Sequence, residues 1–560
     1  MFVQTKFNHL KFTPMKRTLL SLVALLIVTM SAFAQWTSQA TGFTTASRGI
    51  SYISIVNSNV VWAVAYDGSG SAAYITDFTR TINGGTLWTP GSVVTGTTYG
   101  LGNLSAIDAN TAWVTLYNGT GAQDNSCGVY KTTNGGTTWT QQPGALQGSA
   151  SFADNVYFWD ANDGIAHGDV KDGYFEIYTT SNGGSTWTRV PQANITATVA
   201  SGEGGWTSVI DAAGDSSVFF GSNKGNLYIS HDRGHHWIGK ATGIVAATNG
   251  GVQHIAFVDA MHGYVGQDNN PGATTDTTMQ IYGTTDGGVT WAPVTHTGWV
   301  FSNSIAGVKH SPSTYVTSGA NGGTTAVPHV VGSSYSFDGK AFIEFPGTVG
   351  TPAAGGTQFL YTSFANDSTG WSGYFNQDAT TDGIWKYVGV LALPVADFLT
   401  ADTALTLGSP AHFTNLSTGK PSSYLWTFQG GSPATSTLKT PPAIMYNSPG
   451  DFDVTLKVTS DMGTNTDVKA AYIHVGGVGI NEQTKATILI YPNPATDFVN
   501  VSATHDIVQV QLYNLVGQVV MTQKVDGKKV ALNTSSLKSG VYSLKVVMSD
   551  GSIDKKIVIQ

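Results

Sequence analysis

From about residue 36 to residue 390 the chain alternates apolar and polar positions in short runs, and clusters of Gly, Asn, Asp, Ser and Thr separate the runs. A period of two over such short stretches predicts half-buried β-strands joined by tight turns. One run recurs as a loose repeat: Val60-Val-Trp-Ala-Val-Ala65, Thr111-Ala-Trp-Val-Thr-Leu116, Gly164-Ile-Ala-His-Gly168, Ser217-Val-Phe-Phe-Gly221 and His262-Gly-Tyr-Val-Gly266. Each reads as the second strand of a repeated unit, preceded by an inner strand such as Ile255-Ala-Phe-Val258.

Between these runs lies a sharper marker. Thr284-Thr-Asp-Gly-Gly-Val-Thr-Trp291 has close copies in Thr81 to Trp88, Thr132 to Trp139, Thr180 to Trp187 and Ser230 to Trp237. The five tryptophans lie about 50 residues apart, the spacing of one four-stranded propeller blade. Asn83, Asn134, Asn182, Asp232 and Asp286 each precede a turn position. Their short polar side chains bond nearby backbone N–H groups, and glycine supplies the positive φ that a tight turn needs. The following Trp88, Trp139, Trp187, Trp237 and Trp291 offer rings for packing between blades.

Sequence and spacing resemble the Asp-box (BNR) repeat of sialidase-like propellers. That resemblance implies boxes on the outer turns of the blades, away from the ligand-binding face. Ser336-Phe-Asp-Gly-Lys-Ala-Phe342 is a degenerate copy, and Asp367 to Gly373 with Gly383-Ile-Trp385 forms a last unit. The expectation is an all-β chain: a seven-bladed β-propeller over residues 35–390, its ring closed by the Trp36 segment, followed by two small β-sandwich domains. Six blades, as in sialidases, is the alternative if the last unit packs outside.

At Pro394 the period stops. Val395-Ala-Asp-Phe398, His412-Phe-Thr-Asn-Leu-Ser417, Ser423 to Gly431 and Phe452 to Thr459 read as the strands of an Ig-like sandwich over residues 394–475. The order resembles a PKD domain, with Trp426-Thr-Phe-Gln-Gly-Gly431 where that family carries two acidic positions. A linker, residues 476–488, contains Gly476-Gly-Val-Gly479. Residues 489–560, with Tyr491-Pro-Asn-Pro494, Val508 to Gln518, Leu537-Lys-Ser-Gly-Val-Tyr542 and Lys555 to Ile559, resemble the type A C-terminal sorting domain of the type IX secretion system. The resemblance implies two partners, the secretion machinery and its sorting peptidase, and delivery to the surface or exterior of a Bacteroidetes-type cell.

The start of the chain fits that route. Met15-Lys-Arg17, the apolar Leu19 to Met30 and Ala32-Phe-Ala34 make residues 1–34 a signal peptide, with Met15 as the expected true start. No later apolar run is long enough to span a membrane as a helix. The formal charge of −8 and pI near 5.9 exclude the basic stripe that nucleic acid requires. The single cysteine, Cys127, excludes a disulfide framework or a Cys-based metal site, so neither metal nor cofactor is expected.

A sialidase-like site would need an arginine triad to clamp a carboxylate. After the signal peptide only Arg48, Arg80, Arg189 and Arg233 remain, three of them tied to boxes, so no catalytic residues are assigned. The favoured function is non-catalytic recognition of a glycan or a surface protein. The alternative is a secreted glycoside hydrolase acting on a neutral polysaccharide through a carboxylate pair, as in box-carrying xyloglucanases, drawn from Glu176, Glu203, Glu344, Asp154, Asp160 and Asp169. A further resemblance is to photosystem II assembly factor propellers, which bind protein. Residues just before each inner strand should converge on the channel mouth: Arg48, Tyr99, Asn103, Asp154, Glu203, Trp206, His254 and Asn303. Deleting residues 489–560 is expected to leave a folded protein trapped in the periplasm, as cell fractionation would report; normal secretion of the truncation would refute the sorting assignment.

Overall fold

The computed structural model describes residues 35–71, 73–96, 98–244, 250–267, 279–311, 313–320, 331–348, 357–476, 487–549 and 551–560. The expected signal peptide, residues 1–34, and most of the expected linker, residues 476–488, lie outside the described residues. The chain divides into two compact units, the first comprising the residues up to Val395 with two short later segments, the second the remainder. Among the described residues strands account for nearly all regular structure, and no helix is long and apolar enough to cross a membrane.

The first unit is a seven-bladed propeller. Blades one to six each run four antiparallel strands in sequence order, beginning with the inner strands Arg48–Ile55, Tyr99–Ala106, Ala153–Phe158, Gly205–Ala213, His254–Phe257 and Ser304–Gly307, and blade four gains a fifth, Ile195–Thr196, parallel to its outer strand Trp237–Ala241. The seventh takes three strands, Thr362–Asn366, Thr369–Asp378 and Thr381–Tyr387, and its fourth comes from the other end of the unit: Trp36–Ala40 pairs antiparallel with Thr381–Tyr387. The ring is thus closed by strand pairing between its first and last segments.

The recurrent turns have one geometry. In each, the leading Thr or Ser hydroxyl donates to the Asn or Asp carboxamide or carboxylate two residues on, at 2.8–3.0 Å. The same hydroxyl accepts the N–H of the second glycine, as in Gly85 and Gly288. The Asn or Asp oxygen then accepts an N–H four residues on, that of Leu87, Thr138, Thr186, His236 or Thr290. Three local bonds fix the turn without tertiary help. In the fourth turn Arg233 occupies the first glycine position at φ 58°, a left-handed conformation that costs a side chain energy. Its guanidinium offsets this by pairing with Asp160 and Asp163 of the preceding blade.

Of the five marker tryptophans, Trp88 and Trp237 are buried, whereas Trp139, Trp187 and Trp291 are half-buried. Fully buried rings also stand on the second strands: Trp62, Trp113 and Trp371. Each sits directly opposite a cation on the third strand, Arg80, Lys131 and Lys386 respectively. The cations lie 5.1, 4.7 and 5.5 Å from the ring centroids. Each then reaches a backbone carbonyl of the next blade: Arg80 that of Ala109, Lys131 that of Gly183 at 2.9 Å, and Lys386 that of Gly84 at 2.8 Å. Cation–π attraction and hydrogen bonding together hold each half-buried cation between the blades.

Nearer the axis, polar side chains stitch the inner strands. The Asn103 amide donates to the Val156 carbonyl and accepts the Val156 N–H. Ser54 and Ser105 each accept a backbone N–H from the next blade, and Asp211 accepts that of Phe257.

In the second unit a five-stranded sheet, with Gly450–Ser460 and Gly463–Gly476 at its centre, lies with a three-stranded sheet around fully buried Trp426, whose indole N–H reaches the Leu438 carbonyl. After residue 487 the long strand Phe498–Tyr513 pairs through its first half with Ile488–Tyr491 and through its second half with Gly540–Met548, while Val519–Asn533 follows it on the other side. The break in register between Ser502 and Ile507 bends the strand, so two layers enclose Val499, Val501, Leu512, Leu544 and Ile557.

Asn103→Ala would strip the Val156 N–H and C=O of their partners in a dry inter-blade seam. Its expected cost is about 2–4 kcal/mol, read as a lowered unfolding temperature, with ligand binding by the folded variant unchanged.

Candidate functional site

Strand direction places the inner-strand starts and the loops between second and third strands on one face of the ring, here the upper face. The marker turns lie on the other. The eight residues expected at the channel mouth start from the upper side, but they do not form one cluster.

Four of them are engaged in the framework. Arg48 pairs with Asp67 and Asp77 at 3.1 and 2.9 Å within its own blade. The Tyr99 hydroxyl donates to Asp124. Asn103 is fully buried between blades two and three. Glu203 is buried, accepting from the Ala200 N–H, the Asn226 amide and the Tyr228 hydroxyl. Burying a carboxylate demands such partners, and once satisfied it has little left for a ligand. His254 and Asn303 line a cavity of about 210 Å³ in the upper channel, with Ser51, Ser208 and Tyr361. A wider cavity, about 790 Å³, opens at the lower mouth, where Lys309 and Asp211 satisfy one another.

Asp154 and Trp206 come together elsewhere, in a cleft of about 320 Å³ across blades one to four. Tyr74 comes from the loop after the second strand of blade one, Tyr117 from the end of the second strand of blade two, and Phe152 from just before the inner strand of blade three. The rings form a continuous wall: Tyr74 meets Tyr117 edge-on at 6.1 Å, and Tyr117 stacks on Phe152 at 5.0 Å. Asp154 and Asp169 supply the acidic floor, and among the described residues no lysine or arginine lines the cleft.

Backbone proximity to that floor explains two glycines. A Cβ on Gly204 would stand 2.5 Å from Asp169 Oδ1, and one on Gly205 2.5 Å from Asp154 Oδ2. Any side chain there would displace the carboxylates. The Gly205 N–H donates to Asp169 Oδ1 at 2.9 Å.

The Asp154 side chain is 2% exposed, and its Oδ2 has no hydrogen-bond partner among the described residues. Burial, reinforced by the neighbouring Asp169, holds its carboxyl well above the usual carboxylate range. Asp169 is also raised by burial, partly offset by the Gly205 N–H. His167 Nδ1 lies 4.0 Å from Asp154 Oδ2, but this is no ion pair, because burial pushes the imidazole down to about 3. The Asn155 amide nitrogen contacts both the Trp206 carbonyl and His167 Nε2, which makes Nε2 the acceptor and puts the ring proton on Nδ1. The Trp206 indole N–H, shielded from solvent, is likewise unpartnered among the described residues.

Fold and site together define an exported, modular β-propeller protein with an aromatic, acidic cleft on its upper face. Residues 398–471 match the PKD domain, and residues 489–560 match the secretion system C-terminal sorting domain. The chain is therefore a substrate of the type IX secretion system, delivered to the extracellular space or cell surface. None of the curated proteins matches it. Among solved structures it is similar to YCF48 from Cyanidioschyzon merolae (14% identity, TM-score 0.40, covering 63% of this chain and 98% of that one). It is also similar to an ancestral GH74 enzyme (13% identity, TM-score 0.38, 93% and 63%) and to a mutant of Trypanosoma rangeli sialidase displaying trans-sialidase activity (9%, 0.31, 93% and 94%). The propeller assignment rests on the strand pairing described above.

The proton held by Asp154 contributes stability that is fully present below the ordinary carboxylate value and is lost as pH rises through the folded value. The neutral His167 contributes stability present above 6.5 and lost as pH falls towards about 3, at up to about 1.4 kcal/mol per pH unit. Thermal unfolding across pH should therefore show Asp154→Asn more stable than the parent at neutral and alkaline pH, and His167→Gln with a flatter acid limb.

Proposed function

We propose that the exported propeller is a non-catalytic binding protein that recognises a glycan in the Tyr74–Tyr117–Phe152–Trp206 cleft. The observation that supports this most directly is the juxtaposition of stacked aromatic faces with an unpartnered, buried carboxyl. Sugar rings present apolar C–H faces that pack on aromatics, and their hydroxyls both donate and accept, which suits a wall of rings over a polar floor. The cleft volume of about 320 Å³ suits one or two sugar rings better than a folded protein surface. All four arginines after the signal segment are committed to carboxylates or carbonyls in blades one, three and four, so an anionic sugar clamped by guanidinium groups is disfavoured.

One observation favours hydrolysis as a second reading: Asp154 retains a proton beside Asp169, an unequal carboxyl pair of the kind glycosidic cleavage uses. Calorimetric titration of the secreted protein against a panel of polysaccharide fragments separates the readings. Trp206→Ala should lower affinity at least ~10-fold, given the ~1–3 kcal/mol that a stacked aromatic contact typically supplies, while Tyr99→Phe leaves it unchanged. Reducing ends released above the level of Asp154→Asn would establish the hydrolase instead; equal affinity of Trp206→Ala and the parent would refute the cleft as the site.

A further inference from the structure

The cleft's polar atoms are unbalanced in a specific way. Asp154 Oδ2 is buried, lines the cavity and lacks a donor, and Asp169 lies beside it with one oxygen already taken by the Gly205 N–H. Two carboxyls share the floor without a cation among the lining residues. Among the described residues the other ionisable groups lining the cleft are the phenols of Tyr74 and Tyr117, and the imidazole behind it, His167, is neutral. The surrounding rings present negative π-faces, which attract a cation and repel an anion. At the same time the Trp206 indole N–H lacks an acceptor. The complementary ligand thus carries a positively charged donor and an oxygen acceptor.

We infer, building on the glycan reading above, that the cleft takes an amino sugar with a free ammonium group, seated against Asp154 and Asp169 while the sugar ring packs on the aromatic wall. A quaternary ammonium would satisfy the rings but could not donate to Asp154 Oδ2, and an N-acetylated sugar would bring a neutral amide with one donor and no charge. A primary ammonium does what neither can. It supplies up to three N–H donors and a charge that lets both carboxyls be ionised together. Binding then ionises Asp154, whose proton passes to solvent.

The test is calorimetric titration of the full secreted chain with three oligosaccharides of equal length: β-1,4-linked glucosamine, its fully N-acetylated form, and the corresponding glucose oligomer. The free-amine oligomer should bind at least ~10-fold more tightly than either neutral one, the scale of one charge-assisted pair. Buffers of different ionisation enthalpy should report proton release on binding the amine and none on binding the neutral oligomers, the linkage required when a protonated group ionises. Asp154→Asn and, independently, Asp169→Asn should collapse the preference to within ~3-fold while retaining the neutral oligomers, a loss of most of that charge-assisted term. Equal or tighter binding of a neutral oligomer, with Trp206→Ala still weakening it, would overturn the amine inference and leave the glycan reading standing. No binding of any of the three, together with indifference to Trp206→Ala across a wider polysaccharide panel, would overturn both.

Discussion

A ring of sheets has no stable intermediate edge: until the first and last blades meet, each presents an unpaired strand and an apolar face to water. Here the pairing of Trp36–Ala40 with Thr381–Tyr387 removes that edge. Gln39, on the closing strand, accepts from the indoles of both Trp88 and Trp371, so one side chain joins the first blade to the last. Trp36 fills the centre of the closing core, in contact with Phe345, Phe359, Phe364 and Tyr387. Everything on the upper face depends on this closure, because the radial position of each blade is set only once the ring is complete.

Within the closed ring, cohesion between blades comes from two layers of contact. Close to the axis, amide and hydroxyl side chains such as Asn103, Ser54 and Ser105 link neighbouring blades. Further out, the buried Trp62, Trp113 and Trp371 are covered by cations that bond the next blade's carbonyls. A backbone carbonyl exposed at a glycine turn is a good acceptor for such a cation. This explains why Lys131 would collide with a Cβ on Gly183, and Lys386 with one on Gly84, at 2.9 and 3.2 Å. Turn chemistry and blade packing are therefore coupled through the same glycines.

Rigidity of this kind lets the upper face hold groups that local energetics disfavour. Asp154 keeps an unpartnered buried oxygen, and His167 remains neutral behind it. Neither arrangement would survive in a flexible loop, where the side chain would turn to solvent. Both sit on strands of blade three, braced by the Asn155 link to Trp206 and by stacking of His167 on Phe220 at 4.0 Å. A site held out of its own energetic minimum is primed to gain when a complementary ligand arrives.

How much of this was legible beforehand divides along the range of the interactions. The marker turns are set by bonds spanning four residues, so Asn83 to Leu87 and its copies announce the blades, and their spacing implies the ring. The PKD and sorting segments also carry their signatures in short runs such as Trp426 to Gly431 and Leu537 to Tyr542. Glycines before Trp206 signalled a close backbone approach, and Gly204 and Gly205 do approach closely, though to Asp169 and Asp154 as well as to any ligand. Reading inner-strand starts as one convergent cluster failed for Asn103 and Glu203, since it could not show that neighbouring blades would consume their hydrogen bonds. Tyr74, Tyr117 and Phe152 carried no local mark at all. They meet Asp154, Asp169 and Trp206 only because blades one to four fan around a common axis, and that juxtaposition depends on closure of the ring rather than on any period in the chain. Sequence alone determined the repeated turn and the export address, because each is written in contacts between near neighbours, while it left six or seven blades open. Only the tertiary structure decided which side chains are consumed in holding blades together and which are left facing a cleft, because that partition is made across distances no local pattern records.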